Sequence, residues 1–384
     1  AVVAEQCGRN ADFKVGSIIS ASILLNTILA IPFMVIFYYI TPILIWLGQP
    51  HQVSYLVGSY FYGLLFGYLP MIWAGILEQF LVGIGKPRYI LYLSIIGLLI
   101  MPLLSNALIF GRYGFSAYGM WGAGFAVSVT STISFIVLLA FILFKKWHVK
   151  YHLSSLRDGF DFSLIKKLYQ LGWPIALQFS GEFLAYTLIT LMMGWLGVMV
   201  LAAQQIILQF TTVVVMIPTS VAQATAVLVG QAQGSNNNEL IRYQVNISVV
   251  IIVMMMVLVG CVYIFIPDVL IRFYLDIDNP INKPIQYLAI SLLSITALSQ
   301  CFDGVRNVLS GAYRGLQQTK IPMIIGTVSL WLVGIPMAYY FGFILHEGAQ
   351  GVRWGFTVGV ALSMLLLASS WYSNNSHKLL LREA

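Results

Sequence analysis

Four ionisable side chains, Glu78, Glu182, Asp303 and Arg306, lie well inside long apolar stretches of a 384-residue chain that has 20 Lys or Arg and 13 Asp or Glu. A carboxylate at the centre of a membrane helix costs roughly 2.5–3.5 kcal/mol on insertion scales, so one retained there is functional or paired. Glu182 stands ten residues beyond Gly172, where its stretch begins, and Asp303 eleven residues before Arg314, where its stretch ends. At a rise of about 1.5 Å per residue, both sit ~15–17 Å from the same face of a bilayer, close to its middle. Two acidic groups at one depth on two helices can share a cation or a proton. The alternative is that Asp303 pairs with Arg306, one turn away at i+3. Glu78, eight residues from Lys86, reads as interfacial. The polar set Gln204, Gln205, Gln209, Thr211, Thr212, Ser220 and Gln223 either lines a cavity or glues helices together. The 23 Phe, 21 Tyr and 9 Trp suit a pocket for flat hydrophobic cations and suit lipid-facing positions equally well.

The elements that carry these groups follow from composition. The chain is 59% hydrophobic and 9% charged, against about 25% charged in soluble domains. That excludes a soluble enzyme, a disordered chain and a nucleic-acid binder. A span needs ~20 apolar residues, and only helices or closed barrels satisfy the backbone in hydrocarbon. The apolar runs are long and do not alternate, which rejects the barrel. Spans are expected at 16–45, 53–80, 89–111, 121–144, 172–196, 203–232, 243–266, 285–312, 322–344 and 351–373, several with internal proline. Residues 1–9 read as the last turns of an eleventh helix. The three cysteines and five histidines form no disulfide framework, zinc site or intramembrane relay. With no phosphate-binding loop, metal cluster or nucleophile triad, neither catalysis nor a cofactor is expected.

Basic residues in loops set orientation. Fifteen fall in one alternating set of loops (Arg9, Lys14, Lys86, Arg88, Lys145, Lys146, Lys150, Arg157, Lys166, Lys167, Arg242, Arg314, Lys320, Lys378 and Arg382), and four in the other (Arg112, Arg272, Lys283 and Arg353). The first set is expected to be cytoplasmic, with the C-terminus and the linker 145–171. The net charge of +7 is therefore an orientation signal. The linker separates bundles at 1–144 and 172–384, and a weak repeat relates them. VAEQCGRN at 3–10 parallels VGQAQGSN at 229–236, LVGIGKPR at 81–88 parallels YRGLQQTK at 313–320, and GMWG at 119–122 parallels GAQG at 348–351. The offset crosses an even number of helices, so the halves share one orientation, as in parallel-repeat transporters. A complete first half would carry about one and a half more helices.

Three segments carry a family resemblance: GWPIALQFSGEFLAYTLITLMMGWLGVMVLAAQQI at 172–206, SQCFDGVRNVLSGAYRGLQQTKIP at 299–322 and PLLSNALIFGRYG at 102–114. They resemble the seventh, tenth and fifth helices of the multidrug and toxic compound extrusion (MATE) family, in its NorM-like branch, and the likeness runs through the whole chain. The resemblance implies an all-α polytopic membrane protein of six-plus-six helices in two bundles, with ten complete helices and the end of another here. It implies alternating access and cation-driven export of organic cations and other drugs from the bacterial inner membrane by a monomer, coupled to Na+ or H+. The family's coupling carboxylates fall on Glu182 and Asp303, where a Na+ would also bind. Asn106 matches a polar position of the first bundle, and Gln178, Gln205, Gln209, Ser299 and Arg306 are expected to line the cavity. Ser299 stands where relatives often have tyrosine, Gln204 replaces a common histidine, and Glu78 a common arginine. A lipid-linked oligosaccharide flippase or a non-transporting form is the alternative. The flippase would need a basic cavity, for which Arg306 is the one cation within the expected spans.

Overall fold

The structure, a computed structural model, describes residues 1–153, 161–277 and 279–380, with side chains as far as 373. Arg157 and Arg382, counted above for orientation, lie outside that description, as does the side chain of Lys378. Helices account for nearly all of it: α1 (Val2–Gly8), α2 (Val15–Tyr38), α3 (Ile40–Trp46), α4 (His51–Leu65), α5 (Tyr68–Gly83), α6 (Arg88–Phe110), α7 (Gly119–Phe144), α8 (Trp147–Lys150) and α9 (Phe162–Trp195). Then come α10 (Val198–Val214), α11 (Met216–Gly234), α12 (Asn238–Phe265), α13 (Pro267–Arg272), α14 (Lys283–Gly315), α15 (Lys320–Val328), α16 (Ile335–Tyr339) and α17 (Gly348–Leu380). Among the described residues, nine helical segments are long and apolar enough to cross a membrane, and the bent pair α4–α5 makes a tenth. Each of the ten expected spans has its helix. Two compact units result, Val2–Tyr169 and Gln170–Ala384.

Helix α9 begins ten residues before the expected span, so Lys166 and Lys167 are exposed helical residues rather than linker. The cause is local: the Asp161 carboxylate accepts from the Ser163 and Leu164 amides at 2.9 and 3.3 Å, capping a helix that the apolar count alone would start at Gly172.

In the first unit α4 and α5 meet at 58°. Pro70 lacks an amide proton, and its ring crowds the carbonyl four residues back, at Phe66, where the chain turns. Ser128 of α7 takes up the freed groups: its Oγ accepts from the Gly67 amide at 2.9 Å and donates towards the Gly63 and Leu64 carbonyls at 2.7 and 3.0 Å. Gly63 and Gly67 face Gly124 and Ser128 so closely that a Cβ on either glycine would enter the α7 backbone. These are two small-residue pairs at i,i+4, the pattern that lets membrane helices touch.

The second unit is organised on α14. More than half of the 18-residue apolar stretch is buried in both α14 and α17 (56% each), against 11% of that in α6. Gly311 and Gly315 lie against the Ala222 and Ala226 carbonyls of α11, and Gly351, Gly355 and Gly359 of α17 lie against Phe341, Ala338 and Gly334. Two π-helical turns, Ser329–Gly334 and Tyr340–Ile344, interrupt the facing segment.

The repeat is visible in backbone detail. Asn10 and Asn236 both take left-handed φ of 56°, and the Ala11 and Asn237 amides bond back to Gln6 and Ala232. Gly85 and Gln317 are left-handed too, with Lys86→Leu81 and Gln318→Tyr313 bonds of 2.8 and 2.9 Å. Gly119 and Gly348, which open α7 and α17, have φ of 57° and 59°. Equivalent helices in the two units thus end on the same turns.

Candidate functional site

Glu182 on α9 and Asp303 on α14 meet inside the second unit, on either side of Arg306. The guanidinium donates to Glu182 Oε1 at 2.7 Å and Oε2 at 3.1 Å, and its Nε and Nη2 donate to Asp303 Oδ1 at 2.9 and 2.7 Å. The side chains are 13%, 7% and 3% exposed for Glu182, Asp303 and Arg306. Of the two readings left open by the sequence, the structure shows the pairing of Asp303 with Arg306. The same guanidinium also bridges to Glu182, so both carboxylates are paired with Arg306.

The remaining acceptor positions are filled from the same helices. Gln178, one turn before Glu182, donates to its Oε1 at 2.9 Å. Asn307, one turn after Asp303, donates to Oδ2 at 3.0 Å. Every carboxylate oxygen therefore accepts at least one hydrogen bond, which keeps two buried ions tolerable. Arg314 reaches Gln178 Oε1 at 3.5 Å and lies over the Phe179 ring, 4.8 Å from its centroid. Trp331, beyond α15, donates to the Gly181 carbonyl at 3.1 Å and pins α9 beside Glu182. Tyr186, one turn beyond Glu182, interacts electrostatically with Glu182, Asp303 and Arg306.

Not every expected site residue joins this cluster. Ser299 is buried one turn before Asp303, on its face of α14. Gln205 and Gln209 on α10 are exposed, while Gln204, just before Gln205, is fully buried with neither amide atom partnered. Asn106 belongs to α6 in the first unit, where its Oδ1 is buried and unpartnered. Asn307, Trp331 and Tyr186 were not singled out from the sequence. Tyr186 and Asn307 each stand at i+4 from a nominated carboxylate, so the helical period applied to Glu182 and Asp303 would have found both. Arg353 requires a correction. Counted above among loop residues, it lies inside α17 and is 2% exposed, because α17 begins at Gly348 and the glycine stripe draws its first turns against the preceding segment. Arg306 is therefore not the one cation within the spans. Among the described residues no cluster of His, Cys, Asp or Glu has metal-binding form.

The fold and this cluster define a polytopic helical membrane protein of two repeated bundles with an ion network buried in the second. The MatE family model matches residues 1–108 and 174–340, and the chain belongs to that family. A multidrug resistance protein NorM of Burkholderia vietnamiensis is 32% identical over 375 residues, covering 97% of this chain and 80% of that protein. A probable NorM of Agrobacterium fabrum is 32% identical over 341 residues, 88% and 72% of the two chains. The crystal structure of a eukaryotic MATE transporter superposes with a TM-score of 0.80 at 21% identity, covering 98% of this chain and 83% of that one. A MATE in its straight conformation superposes at 0.88 with 17% identity, covering 98% and 82%. These two likenesses establish a shared all-α membrane fold.

Proposed function

We propose that this protein is a secondary multidrug exporter, a multi-pass protein of the bacterial inner membrane with a cytoplasmic C-terminus, acting as a monomer. It exchanges inward cation movement for outward movement of organic cations and other drugs by alternating access. The names of its NorM relatives support the drug-efflux part. The observation that carries the coupling part is Arg306 held between Glu182 and Asp303.

Two carboxylates and one guanidinium sum to a single negative charge. One monovalent cation neutralises the set, and its departure restores the charge for a cationic drug to balance. A ligand moves the inward–outward equilibrium only by its difference in affinity for the two states. The cluster supplies that difference if Arg306 keeps both carboxylates in one state and loses one in the other. A proton suits the geometry better than Na+. It adds to an oxygen lone pair, whereas Na+ must displace donors from oxygens that are already bonded to Arg306, Gln178 and Asn307.

The test is efflux of a fluorescent organic cation from proteoliposomes under an imposed pH gradient or an imposed Na+ gradient. Glu182→Gln and Asp303→Asn are expected to abolish gradient-driven efflux while leaving folding intact. Unchanged efflux in both variants overturns the coupling role.

A further inference from the structure

Arg353 is a second buried cation, outside the Glu182–Arg306–Asp303 network. Its Nε donates to Thr296 Oγ1 at 3.1 Å, and Thr296 spends its own proton on the Leu292 carbonyl at 2.7 Å. That is the one hydrogen bond of the guanidinium among the described residues, and its Nη1 is buried with no partner. None of the ion pairs among the described residues includes Arg353.

Two phenols pack in the same core as Val352 and Phe356, the neighbours of Arg353 on α17. Tyr186 from α9 and Tyr263 from α12 are the ionisable groups that interact with Arg353 electrostatically. Tyr263 is 3% exposed and its hydroxyl is also buried without a partner. Rings close the flanks: Phe356 stands 5.0 Å from Tyr186, and Phe210 6.5 Å from Tyr263. Two unsatisfied donors of different helices, one of them a full positive charge, thus lie buried in the second unit. A buried charge without a counter-charge is costly by several kcal/mol. A water molecule can satisfy the hydrogen bonds there, but it cannot balance the charge.

We propose that Arg353, Tyr263 and Tyr186 form a binding site for a singly charged anionic group, either a free halide such as chloride or the carboxylate of a bound organic molecule. One guanidinium among neutral phenols balances one negative charge, so a dianionic phosphate is a poor match. The site lies five residues into α17, about 8 Å along the axis from the helix start at Gly348. That end of the helix lies opposite the loops rich in Lys and Arg. Neither Glu182 nor Asp303 contributes a ligand to it, although Tyr186 borders both this site and their network.

The test uses the purified protein in detergent, in gluconate buffer of fixed ionic strength, with chloride or benzoate titrated in and the thermal unfolding midpoint recorded. A saturable rise in the midpoint is expected for the unmodified protein and is absent in Arg353→Gln. In Tyr263→Phe, which keeps the ring packing, the half-saturating concentration rises about tenfold, as befits one lost hydrogen bond to a charged group. A rise with chloride alone assigns the site to a free halide, and a rise with benzoate alone assigns it to an organic carboxylate. No saturable rise with either anion overturns the proposal, as does an equal rise in Arg353→Gln. If Arg353→Gln does not fold, Tyr263→Phe decides: an unshifted titration there overturns it.

Discussion

Arg306 holds both carboxylate oxygens of Glu182, at 2.7 and 3.1 Å, across 124 positions of sequence. The same guanidinium binds Asp303 on its own helix, so removing it leaves two carboxylates buried together without a counter-charge. Breaking a buried pair from one side costs about 3–5 kcal/mol. Arg306→Met is therefore expected to lower the unfolding midpoint in detergent severely. Adding Glu182→Gln and Asp303→Asn to the same protein should recover most of the loss. A triple variant no more stable than Arg306→Met would show that neutralising these carboxylates is not what the guanidinium does.

Ser128 offers a separate test in the first unit. Its hydroxyl serves the Gly67 amide and the Gly63 and Leu64 carbonyls at the α4–α5 bend, beside a 3.1 Å bond from the Gly67 amide to the Leu64 carbonyl. Ser128→Ala takes the hydroxyl donor from the Gly63 carbonyl and leaves the Gly67 amide with the Leu64 carbonyl alone, at a cost of about 1–3 kcal/mol. The expected readout is a lower unfolding midpoint and faster amide exchange at Gly67, with the far end of α7 unaffected.

Much of this arrangement was legible in the sequence for identifiable reasons. Apolar length located ten spans, and counting along α9 and α14 put Glu182 and Asp303 at one depth, because helical rise converts residue number into height. The repeat was legible because the left-handed turns at Asn10 and Asn236 draw on Gly and Asn, which a sequence displays. Azimuth was not legible. Depth does not say which way a side chain points, so the bridge from Arg306 to Glu182, a contact between distant helices, had to come from the fold. Arg353 was counted with the loops although the expected span 351–373 contains it, and only the packing of α17 shows how deeply it is buried. Lys166 and Lys167 were given to the linker because hydropathy does not register a polar helical extension capped by Asp161.

Gly355 tests the close approach that buries Arg353. A Cβ there would overlap the Met337 and Ala338 backbone, which cannot yield without moving the helix. Overpacking of this kind costs about 1–3 kcal/mol. Gly355→Ala is expected to lower the unfolding midpoint, whereas Gly97→Ala on α6, where a Cβ meets open space, leaves it unchanged.

Lys150 supplies a pH dependence away from the spans. Its amine is held above the usual lysine value, first by a hydrogen bond to Tyr151 and also by the charge of Asp12, 3.6 Å away. A raised value in the folded state means that folding favours the protonated amine. The contribution is full below the ordinary value of 10.5 and is lost as pH rises through the folded value. It is small, because the side chain is 60% exposed and screened by salt. Lys150→Met should melt slightly below the unmodified protein at pH 8, and the gap should close above pH 10.5. A gap that widens with pH contradicts this assignment.

Arg306→Lys separates charge from geometry. Lysine keeps the positive charge that the carboxylates need but replaces a planar fork with a compact ammonium. At i+3 that ammonium pairs readily with Asp303, and it lacks the two parallel donors that Arg306 presents to Oε1 and Oε2 of Glu182. Glu182 then keeps Gln178 but loses a bond to a charged donor, a difference of about 1.5–3 kcal/mol. Its carboxylate is correspondingly open to an outside cation. Efflux driven by a pH gradient in proteoliposomes should fall about tenfold or more, with the unfolding midpoint much less changed than in Arg306→Met. Any response to an imposed Na+ gradient should be larger than in the unmodified protein, because Na+ no longer has to displace a fork from Glu182. Full activity in Arg306→Lys without Na+ sensitivity would mean that one positive charge at this position is sufficient and that the bidentate contact plays no part in coupling.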